Sequence, residues 1–229
     1  MKTILGKIRE KIANKWIASI LFNFVIFIDY YLICIHKEKN IVKLIRQGMY
    51  NRTIFPNELA LLYSVASLQK NKEGDFAETG VYKGSSARII CEAKGNKPFH
   101  LFDTFKGMPE VLKIDKKYKK GMLNDVSFER VKQRLSKYNN ILFYKGFFPD
   151  TAEAVKDKKF SFVNIDMDIY KSTKDSLEFF YKRMVKGGII IGHDYQSIEA
   201  VKKAFDKFFD DKTEKVIPLC MSQCIVIKQ

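Results

Sequence analysis

These 229 residues contain no Cys-x-x-Cys pair, no zinc-finger or RNA-recognition signature and no Gly-Lys-Ser/Thr phosphate loop, and each absence narrows the function. The four cysteines, Cys34, Cys91, Cys220 and Cys224, sit mostly inside apolar runs, so they read as buried free thiols in a reducing, cytoplasmic compartment. Arginine is scarce beside lysine. The net charge of +15 therefore reads as a solvated basic surface, attracted to phosphorylated glycans or an anionic membrane, and no nucleic-acid partner is expected. A Gly-x-Gly-x-x-Gly run is also missing, which argues against a nicotinamide-dependent oxidoreductase.

What is present suits one α/β domain with an appendage. Met1 to Lys15 is basic with apolar residues at helical spacing, and Trp16 to Ile35 is apolar apart from a few positions such as Asn23 and Asp29. The second run is long enough to span a bilayer, but Asp29, Tyr30 and Tyr31 suit an interface better, and no small-residue cleavage site follows. Three readings stay open for 16–35: a helix packed on the core or on a second copy in a homo-oligomer, a helix on the inner membrane surface, or a true span. Short helices are expected over Glu38 to Met49 and over Asn57 to Leu68, the latter with Leu59, Leu61, Leu62, Val65 and Leu68 inward.

Strands then alternate with helices. The first runs into Asp75-Phe-Ala-Glu-Thr-Gly-Val-Tyr-Lys-Gly84, where Gly80 and Gly84 let a backbone approach a ligand, Ser85 or Ser86 can cap the next helix, and Glu78 can accept hydrogen bonds. The second ends at Asp103, where a carboxylate can hold a ribose diol. A lysine-rich stretch, Glu110 to Lys137, is either a lid or a solvated excursion, with a helix over Ser127 to Ser136. The third strand, Ile141 to Tyr144, precedes Phe147 and Phe148, one expected to stack on an adenine and the other to fill the core. The fourth delivers Asp166 and Asp168 on one face. A helix over Thr173 to Val185 ends at Lys186-Gly-Gly188, and a buried strand from Ile189 leads to His193 and Asp194. Paired acids at a strand end suit a hard cation such as Mg²⁺, while His193 suits proton transfer or a softer metal. Ser197 to Phe209 is an amphipathic helix with Val201, Ala204, Phe205 and Phe208 on one face, and two short strands close the chain as a hairpin. The pattern is a doubly wound, mostly parallel sheet with a C-terminal antiparallel hairpin and an N-terminal helical appendage.

Over roughly 75 to 227 these blocks resemble the class I S-adenosylmethionine-dependent methyltransferases, and specifically the macrocin O-methyltransferase (TylF-type) family. The blocks are Glu78-Thr-Gly-Val-Tyr-Lys-Gly84, Asp103-Thr-Phe-Lys-Gly-Met-Pro109, Gly146-Phe-Phe-Pro-Asp-Thr151, Asp166-Met-Asp-Ile-Tyr-Lys-Ser-Thr173 and Gly187-Gly-Ile-Ile-Ile-Gly-His-Asp-Tyr195. In the last block the family usually has two aspartates before the tyrosine, and this chain has His193 and Asp194. The resemblance implies a Rossmann-like S-adenosylmethionine domain over 71–229; the helical appendage over 1–70 is read from its own pattern, and residues 1–60 carry no convincing part of the match. It also implies cofactor contacts from Glu78, Thr79, Gly80, Tyr82, Ser85, Asp103, Thr104 and Phe147, and a metal held by Asp166, His193 and Asp194. Methyl transfer to a hydroxyl of a sugar or glycosylated acceptor would follow, with Asp166 or Asp168 taking the proton and His193 the alternative base. The rival reading is a membrane-associated glycan-binding module without catalysis.

Overall fold

The computed structural model describes residues 15–36, 39–48, 54–219 and 221–229. The chain divides into two compact units, Met1–Ala60 and Leu61–Gln229. The basic stretch 1–14, residues 51–53 of the break before the third helix, and Cys220 lie outside the described residues, as does the side chain of Cys34. Cys91 and Cys224 are free and buried, as expected.

The first unit carries helices α1 (Lys15–His36) and α2 (Lys39–Gly48), with Ile26 and Ile45 buried. Asp29 of α1 accepts a hydrogen bond from the Asn57 amide at 3.0 Å, which gives that carboxylate a partner at the start of α3 (Pro56–Gln69). Among the described residues no helix is long and apolar enough to cross a membrane. Along α3 the buried stripe includes Leu59, Leu62, Val65 and Ala66, while Leu68 is exposed, contrary to expectation. At 100° per residue Gln69 continues the stripe set by Leu62, Val65 and Ala66, and Leu68 is turned out of it.

The second unit is built on a seven-stranded sheet in the order β3-β2-β1-β4-β5-β7-β6. Strands β1 (Asp75–Thr79), β2 (Phe99–Asp103), β3 (Ile141–Lys145), β4 (Phe160–Ile165) and β5 (Met184–Gly192) are mutually parallel, and β7 (Cys224–Ile227) runs antiparallel to both β5 and β6 (Ile217–Pro218). Strand β4 is buried at every position because both sheet faces are covered, whereas edge strand β3 is only half-buried or exposed. Helices α4 (Ser85–Ala93), α5 (Phe128–Leu135), α6 (Tyr170–Tyr181) and α7 (Glu199–Phe209) and a 3₁₀ turn (Asp150–Val155) complete the unit. The core below the site is strongly aromatic: Phe148 stacks on Phe180 with ring centroids 5.7 Å apart, and Phe102 stacks on Tyr144 at 4.6 Å.

Several boundaries differ from the sequence reading. Helix α4 is entered through Gly84 in the left-handed region (φ 76°), so neither Ser85 nor Ser86 caps it; both lie inside the first turn. Helix α6 runs from Tyr170 to Tyr181 rather than from Thr173 to Val185, and the Arg183 guanidinium donates to the Phe179 carbonyl at 2.7 Å near its end. Strand β5 begins at Met184, opposite Phe160, and its register then shifts so that Ile189 faces Phe162. Lys186 to Gly188 is thus an irregularity within a strand, not a helix end, with Gly187 at φ 70°. On α7 the deeply buried residues are Ala200, Val201, Ala204, Phe205 and Phe209, while Phe208 is half-buried at the edge of Tyr181.

Register places the functional end. Thr79 pairs with Phe102 and Ile165, and Ile165 pairs with Gly192. Gly80, Asp103, Asp166 and His193 therefore follow in one row across four adjacent strands. Amide bonds continue the ladder through this row: Gly80 to Phe102, Asp166 to Thr79 and His193 to Ile165, each 2.9 Å.

Candidate active site

On the β1–β2 side of the row, Glu78 is completely buried. Its Oε1 accepts from the Ser86 hydroxyl and from Asn164 Nδ2 at 2.9 Å. Burial, reinforced by the nearby Asp166 and Asp103 carboxylates, overrides those hydrogen bonds and pushes the Glu78 carboxyl up to about 8. Among the described residues Glu78 Oε2, Thr79 Oγ1 and Asn164 Oδ1 are buried without a hydrogen-bond partner, a cluster of unmet polar capacity at the ends of β1 and β4. Gly80 is at φ 83°, and a Cβ there would fall 1.7 Å from the Asp166 carbonyl oxygen, so the two strand ends meet only because this residue is glycine.

Asp103 organises the loops around it. Its Oδ2 accepts from the Tyr82 amide at 2.8 Å and its Oδ1 from the Phe105 amide at 2.6 Å. Both donors are aromatic residues in the left-handed region, at φ 47° and 50°, a conformation that costs about 1–3 kcal/mol and persists where the surroundings over-determine it. Burial raises Asp103 above the usual carboxylate range despite these bonds. Thr104 closes its own turn by donating to the Gly107 carbonyl at 2.7 Å. Ser85 is buried in the first turn of α4. Phe148 fills the core, and Phe147 is left half-buried in the loop after β3.

On the β4–β5 side, His193 Nδ1 lies 2.9 Å from Asp194 Oδ2 and 3.4 Å from Asp166 Oδ1. Candidate ligand atoms of Asp166, His193 and Asp194 lie within 4.8 Å of one another. Burial works to raise Asp194, but the His193 contact and the Ser197 hydroxyl outweigh it and hold that carboxyl below its usual value. Asp168 moves the other way, to about 8, through burial and the charges of Asp166 and Asp194. Asp168 and Asp194 also sit at φ 60° and 59°. Two carboxylates and an imidazole converging beside a third carboxylate fit a divalent cation, which would relieve their repulsion. The imidazole suits a borderline ion better than Mg²⁺.

The stretch between β2 and α5 is strapped across this end of the sheet. Tyr118 donates to Asp168 Oδ1 at 2.8 Å, buried Asp115 accepts from the Tyr170 amide at 2.8 Å, and Lys117 reaches the Ser197 carbonyl at 2.9 Å. At its far end Asp125 accepts from the Tyr82 hydroxyl at 2.6 Å and pairs with Lys83 at 2.5 Å.

The sequence profile described as macrocin-O-methyltransferase (TylF) matches residues 60–221. The chain belongs to this family. Two curated relatives of this TylF-family chain come from streptomycetes. The 8-demethyl-8-(2,3-dimethoxy-alpha-L-rhamnosyl)-tetracenomycin-C 4'-O-methyltransferase of Streptomyces olivaceus is 31% identical over 147 residues, 57% of this chain and 56% of that protein. The demethyldecarbamoylnovobiocin O-methyltransferase of Streptomyces niveus is 29% identical over 154 residues, 60% of this chain and 59% of that one. The matched stretches thus span under two thirds of either relative. The O-methyltransferase NovP shares the fold, with a TM-score of 0.68 and 24% identity over 77% of this chain and 81% of its own.

The TylF-type blocks read from the sequence all reach the row of strand ends. Tyr82 engages Asp103 through its amide while its hydroxyl is turned to Asp125. Asn164, Asp115 and Tyr118 went unnoticed, and Ser86, expected as a possible helix cap, donates to Glu78 instead. Asn164 had a signal, since it precedes Asp166 by two on one strand face; Tyr118 had none inside its lysine-rich surroundings.

Proposed function

We propose that this TylF-family protein is an S-adenosylmethionine-dependent O-methyltransferase acting on a hydroxyl of a sugar or glycosylated small molecule, with a divalent cation assisting. The observation that carries the reading is the single row of strand ends, with unmet buried polar atoms around Glu78, Thr79 and Asn164 on one side and the Asp166, Asp168, His193 and Asp194 cluster on the other. The first group suits the amino-acid end of the cofactor, and Asp103, which keeps spare lone pairs beyond its two amide bonds, suits a ribose diol. Gly80 lets the backbone approach, Ser85 stands in the first turn of α4, Tyr82 and Thr104 shape the two flanking loops, and Phe147 offers a ring for the base. A sugar acceptor is favoured by the rhamnosyl substrate in the name of the Streptomyces olivaceus relative.

When bound, the cofactor supplies an electrophilic methyl group and the cation a positive charge that lowers a hydroxyl's pKa. Asp166, His193 and Asp194 would hold the ion. Asp166 takes the acceptor's proton, or Asp168 does once a bound cation offsets the burial that holds its proton, and the Tyr118 hydroxyl keeps Asp168 in place. A metal-free variant with His193 as base rests on the same geometry, since its Nδ1 is already polarised by Asp194.

Methyl transfer from labelled S-adenosylmethionine to rhamnosylated acceptors, with and without chelator, tests this. Chelation and Asp166→Asn are each expected to lower the rate at least about a hundredfold, while His193→Ala keeps partial activity because water can replace one ligand. Transfer that survives chelation and is lost in His193→Ala with cofactor affinity intact would establish the metal-free route instead.

A further inference from the structure

Helix α1 leaves a wide apolar surface uncovered. Leu21, Phe24, Val25, Phe27, Ile28 and Leu32 are all exposed. At 100° per residue they occupy one arc of about 160°. Among the described side chains of that arc the Tyr31 hydroxyl is the one polar group. The opposite side holds Ile26, which is buried, and Asp29, whose carboxylate accepts the Asn57 amide. A solvated helix carries charges on its open face, and this one carries none there.

We propose that α1 lies in the surface of an anionic lipid membrane, its apolar arc among the acyl chains and its Asp29 side held by the protein. Three observations select this occupant. The sequence just before the arc is basic, with Lys2, Lys7, Arg9, Lys11 and Lys15 against the single acid Glu10, which matches anionic headgroups. A second copy of the chain would bring another net charge of +15 against the first. Insertion across the bilayer would place the Asp29 side in lipid on all sides, whereas its bond to the α3 amide keeps it on protein. Phe24, 60% exposed and near the middle of the arc, would be the deepest contact, with Phe27, 63% exposed, at its edge.

Co-sedimentation of the full chain with vesicles tests the assignment. The protein is expected to pellet with equimolar phosphatidylcholine and phosphatidylglycerol, to bind pure phosphatidylcholine weakly, and to be released by high salt. The double variant Phe24→Glu, Phe27→Glu, checked for native circular dichroism, is expected to bind at least about tenfold more weakly. If that variant does not fold, Lys7→Glu with Lys11→Glu gives a second reading and is expected to lose anionic binding alone. A wild-type protein that stays in the supernatant, equal binding to neutral vesicles, or unchanged binding by the folded variants would overturn the proposal. A dimer in light scattering that the phenylalanine variant splits, without vesicle binding, would assign the face to a second copy.

Discussion

Glu78 keeps its proton at neutral pH because a fully buried carboxylate costs more than its two hydrogen bonds return. Its folded value of about 8 stands above its unfolded value of 4.5, so below pH 4.5 both states hold the proton and the contribution to stability is fully present. Between 4.5 and 8 the unfolded chain has lost the proton that the folded chain retains, and stability falls with rising pH by up to about 1.4 kcal/mol per unit. Above pH 8 the contribution levels off. Glu78→Gln should remove this slope. In denaturant titrations at pH 5 and pH 8 the wild type is expected to lose a few kcal/mol relative to the variant, and parallel pH curves would contradict the buried neutral carboxyl. That Glu78 stands at the end of the first strand was legible in the sequence from its place before Gly80. Its protonation state was not, because it follows from burial, reinforced by the Asp166 and Asp103 charges, and that burial exists only once β1, α4 and β4 are packed together.

At the scale of elements, the site depends on how closely β1 and β4 end together. Gly80 permits that approach, and a Cβ there would collide with the Asp166 carbonyl. Gly95 has a similar positive φ of 62° but open space around it, so it isolates the conformational cost alone. Gly95→Ala is expected to cost about 1–2 kcal/mol, and Gly80→Ala more than about 3 kcal/mol, in equilibrium unfolding. Equal costs would mean that the strand ends can move apart freely. The strands themselves were readable from short apolar runs, and the positions of Asp103, Asp166 and His193 followed from them. The α6–β5 junction was misread because Val185 to Gly188 looks like a helix ending in two glycines, whereas strand pairing with Phe160 claims Met184 first. The strap between β2 and α5 could not be resolved into lid or excursion, since its ties through Asp115 and Tyr118 are to residues some 50 positions away.

Across the whole molecule, a basic chain presents an acidic site. The net charge is +15, yet Asp166, Asp168 and Asp194 gather at one end of the sheet beside buried Glu78 and half-buried Asp103. Composition alone therefore pointed to the surface and its anionic partners, while the order of motifs pointed to the site. The most direct test of the account is calorimetric titration of the full-length protein with S-adenosylhomocysteine. The wild type is expected to bind one equivalent, and Asp103→Ala, shown to be folded, is expected to bind about 10- to 150-fold more weakly, as loss of a doubly bonded carboxylate of roughly 1.5–3 kcal/mol requires. No binding by the wild type, or undiminished binding by the folded Asp103→Ala protein, would contradict it.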